Sequence, residues 1–316
     1  MRSVNSSGIG SHSVPQFLLR QFSYHHSQTN SRRIWVYQRF RRPNPMGSPR
    51  TQCREPGYFQ LLHDPEAEAD FESNLNKKYE SQAHEFIPCL ESKLCYIPPG
   101  KKLVLARYIA VLFSRSMARK HAIAFFSKQI KSEFIAAISN PAKVVKFAKE
   151  IRRHFGGWIG MPEIMSALEK HADQFDSPHR DQELFVNNLF GLLPTTEQQL
   201  LNRHWRILEA PPDEEFVLSD TPVLTRFRFP DRHYGYGWGL AHNNTEVLLS
   251  VSPRTCLCIG MPGSERETIK QEELRQINEY AVRFSVKKVF SSKYMEDVDH
   301  SVQRFSNSLR LGEKPF

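Results

Sequence analysis

The chain has 316 residues, of which 40% are hydrophobic and 24% charged, with a formal net charge of +9; these proportions exclude wholesale disorder, collagen-like repetition and a disulfide scaffold. Its most apolar stretch, Leu103 to Phe113, contains Arg107 and falls well short of the roughly 18 residues a membrane span requires, so no membrane partner is expected. The charge sits at one end: residues 1–54 carry nine arginines, no lysine and no acidic residue, whereas residues 55–316 hold 34 basic and 34 acidic side chains.

An arginine-only block suits phosphate backbones, because the guanidinium fork binds phosphate in bidentate fashion. Arg20, Arg32, Arg33, Arg39, Arg41 and Arg42 are therefore candidate nucleic-acid contacts. A solvated tail or a transit peptide would have the same composition. The strand-like Ile34-Trp35-Val36-Tyr37 argues instead that the arm belongs to the fold.

After the arm, Phe71, Leu75, Tyr79, Phe86 and Leu90 recur at helical spacing and predict an amphipathic helix from about Glu66 to Leu94, closed by Pro98-Pro99-Gly100. A buried central helix follows from Leu103 to about Ile138. Asn140-Pro141 and Gly156-Gly157 bracket a helix over Ala142 to Phe155, with further helices near Pro162 to His171, Asp181 to Phe190 and Thr196 to Leu201. From His204 the texture changes to short β-rich runs: Trp205 to Leu208, Phe216 to Leu218, Val223 to Phe229, Val247 to Val251 and Thr255 to Ile259. A charged helix from Glu265 to Arg283, a strand at Val286 to Phe290 and a helix around Tyr294 to Phe305 close the chain. The expected fold is one α+β domain over residues 1–316. It comprises an Arg-rich segment (1–60), a helical region (61–203) and a β-rich region (204–316), with Trp35 to Tyr37 pairing with the C-terminal strands.

Five cysteines (Cys53, Cys89, Cys95, Cys256, Cys258) without framework spacing point to a reducing compartment, and the absence of a signal-peptide core makes the cytoplasm the default. Cys256 and Cys258 lack the spacing of a zinc knuckle. The Walker, Rossmann, nucleophile-elbow, zincin and Cys-x-x-Cys signatures are missing. Arg115 and His121 superficially fit the loose Arg-x(4–6)-His pattern of the HEPN ribonucleases, but on a continuous helix they lie about 240° apart.

Several residues together resemble the bacterial family known as domain of unknown function 4238. They are His12-x-Val14-Pro15-x-Phe17-Leu18-x-Arg20-x-Phe22, Trp35-Val36-Tyr37, Tyr58-Phe59, the helix of Glu72 and Glu80, Arg115, Trp205, Phe216 to Val223 with Ser219-Asp220-Thr221-Pro222, Leu249 to Arg254, and Asn278 to Phe290. Met117 and Val251 stand where that family tends to have proline. The resemblance implies an architecture and no settled activity.

Pro15 holds Val14 extended and so fixes the direction of His12. Glu72 lies at the margin of its helix's apolar stripe and Glu80 further toward solvent; Arg107, on an apolar helix, calls for a buried carboxylate partner, with Glu72 the candidate. Asp220 ends a strand, where it either projects into a cleft or makes a turn with Pro222; a turn-forming Asp can be replaced by Asn, a catalytic one cannot. These residues suggest an intracellular phosphodiester hydrolase, RNA before DNA, of the kind found among bacterial toxins and phage-defence effectors. His12 would act as general base or metal ligand. Glu72 and Asp220 would hold a divalent ion such as Mg, and Arg115 and Arg119, about 40° apart on one helix, would neutralise developing charge. The rival readings are a non-catalytic nucleic-acid-binding or protein-interaction module, and a nucleotide- or NAD-cleaving enzyme. The bland roles are a structural hydrogen bond for His12, a buried ion pair for Glu72 with Arg107, and core packing for Phe17, Phe22, Trp35 and Tyr37.

Overall fold

A computed structural model describes residues 11–55, 58–59, 73–91, 96–138, 140, 142, 145, 180–227 and 244–310. The fold is α+β. The arm folds as β1 (Ser11–His12), α1 (Gln16–Gln21), β2 (Tyr24–His26), β3 (Ser31–Gln38), β4 (Asn44–Gly47) and β5 (Arg54–Glu55). The middle contributes α2 (Ser81–Glu91), α3 (Pro99–Ser114), α4 (Met117–Ile138), α5 (Arg180–Gly191) and α6 (Leu193–Leu201). The last third contains β6 (His204–Glu209), β7 (Leu218–Ser219), β8 (Val223–Phe227), β9 (Thr245–Ser250), β10 (Thr255–Gly260), β11 (Arg266–Thr268), α7 (Gln271–Phe284), β12 (Lys288–Ser291) and α8 (Glu296–Arg310).

Two five-stranded sheets form the centre. One has the order β11-β6-β10-β9-β8, antiparallel except for β11 on β6; the other runs β2-β3-β12-β7, with β4 also on β3. The expected union of the chain's ends is present: Trp35, Val36 and Tyr37 pair antiparallel with Ser291, Phe290 and Val289. Alternation along the strands divides the side chains between two cores. Ile34, Val36, Leu218, Val223, Val247, Leu249, Leu257, Ile259 and Phe290 face the first, with α1, α2, α3 and α6. Tyr37, Val217, Leu224, Leu248, Cys256, Cys258 and Val289 face the second, with α7 and α8. Because both sheets turn alternate residues to the same two cores, they act as one layer between helices on either side, joined where β7 passes through Ser219 to Pro222 into β8. A third core packs Tyr58, Phe59 and Leu75 against Val111, Met117, Phe185 and Leu189 of the helices.

Three expectations are corrected. Pro98-Pro99 opens a helix instead of closing one: Pro98 is the N-cap of α3 and Pro99 its first residue, where a missing N–H costs nothing. The central helix is broken at Arg115-Ser116, because Ser116 acts as a cap: its Oγ accepts the Arg119 N–H at 3.3 Å and donates to the Phe113 carbonyl at 3.0 Å. The charged C-terminal helix starts at Gln271; before it, Arg266–Thr268 pair with Ile207–Glu209, so an open sheet edge prevails over helix propensity. Arg228 and Phe229, at the end of the expected Val223 strand, and the helices over Ala142 to Phe155 and Pro162 to His171, lie largely or wholly outside the described residues, although the Ala142 N–H donates to Asn140 Oδ1 at 3.0 Å as an N-cap should.

Candidate functional site

A few of the residues that carry the family resemblance, His12, Tyr58, Phe59 and Glu80, meet at Arg115. Arg115 follows the last turn of α3 and is only 1% exposed. Its Nε donates to the Ser13 carbonyl at 3.3 Å, one Nη to the His12 carbonyl and the other to the Glu80 carboxylate. The plane lies 5.8 Å from the Phe59 ring centroid, and the Tyr58 hydroxyl donates to the Arg115 carbonyl at 2.7 Å. A charge removed from water needs this complete set of acceptors. The result ties the His-x-Val-Pro segment, the Tyr58-Phe59 segment and the helical layer together.

Three sequence expectations fail here for geometric reasons. Glu80, expected toward solvent, is 8% exposed and pairs with Arg115. It ends a π-helical turn, Asn76–Glu80, which holds more residues per turn than an α-helix, so a 100° wheel misplaces it. Arg107, expected to be buried against Glu72, is 47% exposed on its side chain and pairs with Glu197 of α6 at 3.0 Å. Glu72 itself lies outside the described residues. Arg115 and Arg119 do not share a helix face, since the break falls between them. Arg119 stacks 5.7 Å from the Phe113 ring, and partial burial lowers its pKa.

Asp220 is 3% exposed, and both carboxylate oxygens are occupied: Oδ1 accepts the Val286 N–H at 2.8 Å, and Oδ2 accepts those of Lys287 at 2.6 Å and Lys288 at 2.9 Å. Its own N–H donates to the Lys288 carbonyl at 3.0 Å. Asp220 thus holds the approach to β12 beside β7. Burial raises its pKa, opposed by the three N–H donors and by Arg39. With two oxygens receiving three donors, Asn cannot substitute, because its amide would face an N–H with another N–H. His12 is half-buried in β1, where its Nε2 lies 3.2 Å from the Arg50 carbonyl.

The six arm arginines divide into two sets. Arg39 donates to the carbonyls of Ser285 at 2.9 Å and Arg283 at 3.2 Å, satisfying the end of α7, and burial lowers its pKa. Arg33 donates to the Met46 carbonyl at 3.3 Å. Arg20, Arg32, Arg41 and Arg42 are exposed and pair with no carboxylate among the described residues. Arg41 and Arg42 occupy the β3–β4 turn beside Phe40, which adopts φ 63° and is 46% exposed. Arg20 and Arg32 line a cavity of about 280 Å³ with Phe17, Gln21 and His84. Phe22, Trp35 and Tyr37 are core residues. Phe17 is half-buried and touches the His84 ring at a centroid distance of 5.1 Å. His84 carries no sequence signal, because only the tertiary packing of α2 on α1 brings it there. Among the described residues no group of three or more His, Cys, Asp or Glu side chains is placed to hold a metal ion, and no helix is long and apolar enough to cross a membrane.

The layer of two sheets between helices, tied to its N-terminal segment through one buried arginine, makes this an α+β protein. The chain belongs to the DUF4238 family, described as proteins of unknown function, whose profile matches residues 11–294. No curated protein and no solved structure matches it.

Proposed function

We propose that the protein is a nucleic-acid-binding module directed at RNA before DNA, with the arginine arm as its contact surface. The observation that carries this reading is the set of four exposed, carboxylate-free arginines on an arm with no acidic residue, two of them set beside an exposed phenylalanine in a tight turn. Guanidiniums without a carboxylate suit phosphate contact. Occupation of the Arg115 and Asp220 side chains by structural partners favours binding over the hydrolytic reading, in which His12 and Glu72 would have to supply the chemistry. Cys53, Cys256 and Cys258 are buried thiols outside any disulfide, which supports a reducing, cytoplasmic setting.

The test is a 20-nucleotide single-stranded RNA, labelled at one end and incubated with the protein with and without Mg. One half of each sample is run on a native gel and the other on a denaturing gel. The expected result is a shifted complex with the RNA intact. Cleavage that disappears in His12→Gln would restore the hydrolase, and no shift at low salt would dismiss the reading.

A further inference from the structure

The cavity beside α1 is more specific than a basic surface. Phe17, Arg20 and Gln21 lie on one side of α1, Arg32 reaches in from β3, and His84 closes it from α2. The Arg32 guanidinium is held by the Arg20 carbonyl at 3.4 Å and the Ser23 Oγ at 3.3 Å, so it is aimed before any ligand arrives. Neither arginine nor His84 has a carboxylate partner among the described residues, and none of the five lining residues is acidic.

We propose that this cavity is a site for a terminal phosphomonoester on a nucleotide. Three observations select that chemistry. A monoester carries close to two negative charges near neutral pH, against one for an internal diester, and so matches a cavity lined by two arginines without carboxylate partners. The volume of about 280 Å³ lies at the small end of ligand sites, room for about one nucleotide. The Phe17 ring, tilted 58° against His84, gives the adjoining base or sugar an apolar wall. The phosphate belongs either to a free mononucleotide or to the end of a strand, and the two sources share this chemistry. The strand-end case rests on the RNA-binding reading above; the mononucleotide case does not.

The experiment measures fluorescence anisotropy with 12-nucleotide RNAs of one sequence bearing a 5′-phosphate, a 3′-phosphate or no terminal phosphate, and uses UMP as unlabelled competitor. One phosphorylated end is expected to bind about tenfold or more tighter than the unphosphorylated strand, a preference that Arg20→Ala with Arg32→Ala reduces to about onefold. Thermal melting of the variant within a degree or two of the parent shows that the cavity residues act on the ligand and not on the fold. If all three RNAs bind equally and UMP does not compete, the phosphomonoester site is refuted while RNA binding stands. If no RNA binds but UMP binds directly by calorimetry and loses affinity in the variant, the site stands and the RNA reading falls. If the parent binds neither RNA nor UMP, both are overturned.

Discussion

Replacing Arg115 with Met removes the guanidinium but keeps much of its volume, so the cost reports on charge and hydrogen bonds more than on a cavity. The variant strands a Glu80 carboxylate that is 8% exposed, and it leaves the carbonyls of His12 and Ser13 without their donor. Breaking a buried pair by removing one partner costs about 3 to 5 kcal/mol. Two carbonyls deprived of a donor add about 1 to 3 kcal/mol each where water does not replace it. Against a total stability of about 5 to 15 kcal/mol, Arg115→Met is expected to be close to unfolding or to melt at least about 10 °C lower. The double variant Arg115→Met with Glu80→Leu no longer buries a lone charge and should regain part of the loss, giving a coupling energy of about 1 to 3 kcal/mol in a double-mutant cycle. Urea denaturation followed by tryptophan fluorescence measures all four proteins. A single variant within about 0.5 kcal/mol of the parent, or a cycle with no coupling, would refute the claim that Arg115 and Glu80 are a buried pair.

Asp220→Asn should lose about 1 to 3 kcal/mol through one unmatched N–H, visible as a lower urea midpoint; unchanged stability would mean that the three bonds to Val286, Lys287 and Lys288 are not formed in solution. Glu246, fully buried on β9, bridges Arg206 at 2.8 Å and Arg226 at 2.8 Å, with Glu267 and Glu273 as outer partners. Glu246→Gln should therefore cost about 3 to 5 kcal/mol in the same assay, and parent-like unfolding would show that Arg206 and Arg226 are solvated. Burial pushes the Tyr37 hydroxyl up to about 12, above its ordinary value of 10. The folded state thus keeps a proton that the unfolded chain releases, so this contribution is complete below pH 10 and is lost as pH rises toward 12, at up to about 1.4 kcal/mol per pH unit. Stability curves of the parent and Tyr37→Phe between pH 9 and 12 should differ in slope, the variant being flatter; parallel curves would contradict the buried hydroxyl.

Strand character was legible because a strand buried on both faces reads as a short apolar run bounded by turn residues: Leu248 and Leu249, or Cys256 to Ile259, face opposite cores in turn. The pairing of Trp35 to Tyr37 with β12 followed from two apolar runs that each needed a neighbour. The buried ion pairs were illegible for the complementary reason. Glu80 reaches Arg115 only because a π turn displaces it, and Ser116 breaks a helix whose composition reads as continuous. Asp220 reads as a turn residue until the backbone of Val286 to Lys288, 66 to 68 positions away, is brought against it. Arg206, Glu246 and Arg226 carry no pairing signal in the sequence until register sets Glu246 of β9 beside Arg226 of β8 and, across β10, within reach of Arg206 of β6. In the arm, composition indicated cationic contacts, but it could not separate the half-buried Arg33 and Arg39 from the exposed Arg20, Arg32, Arg41 and Arg42.

That division is the point on which the functional account turns, and the salt dependence of RNA binding tests it most directly. Titrations of a labelled single-stranded RNA between 50 and 300 mM salt, roughly the range over which phosphate contacts weaken, give log K against log salt for the parent and for the fourfold variant Arg20→Ala, Arg32→Ala, Arg41→Ala and Arg42→Ala. The account predicts a slope shallower by about 0.7 per lost contact, close to 3 in all, with the melting temperature retained because none of the four holds a carboxylate. An unchanged slope in a folded variant would contradict it and take the arm out of nucleic-acid binding.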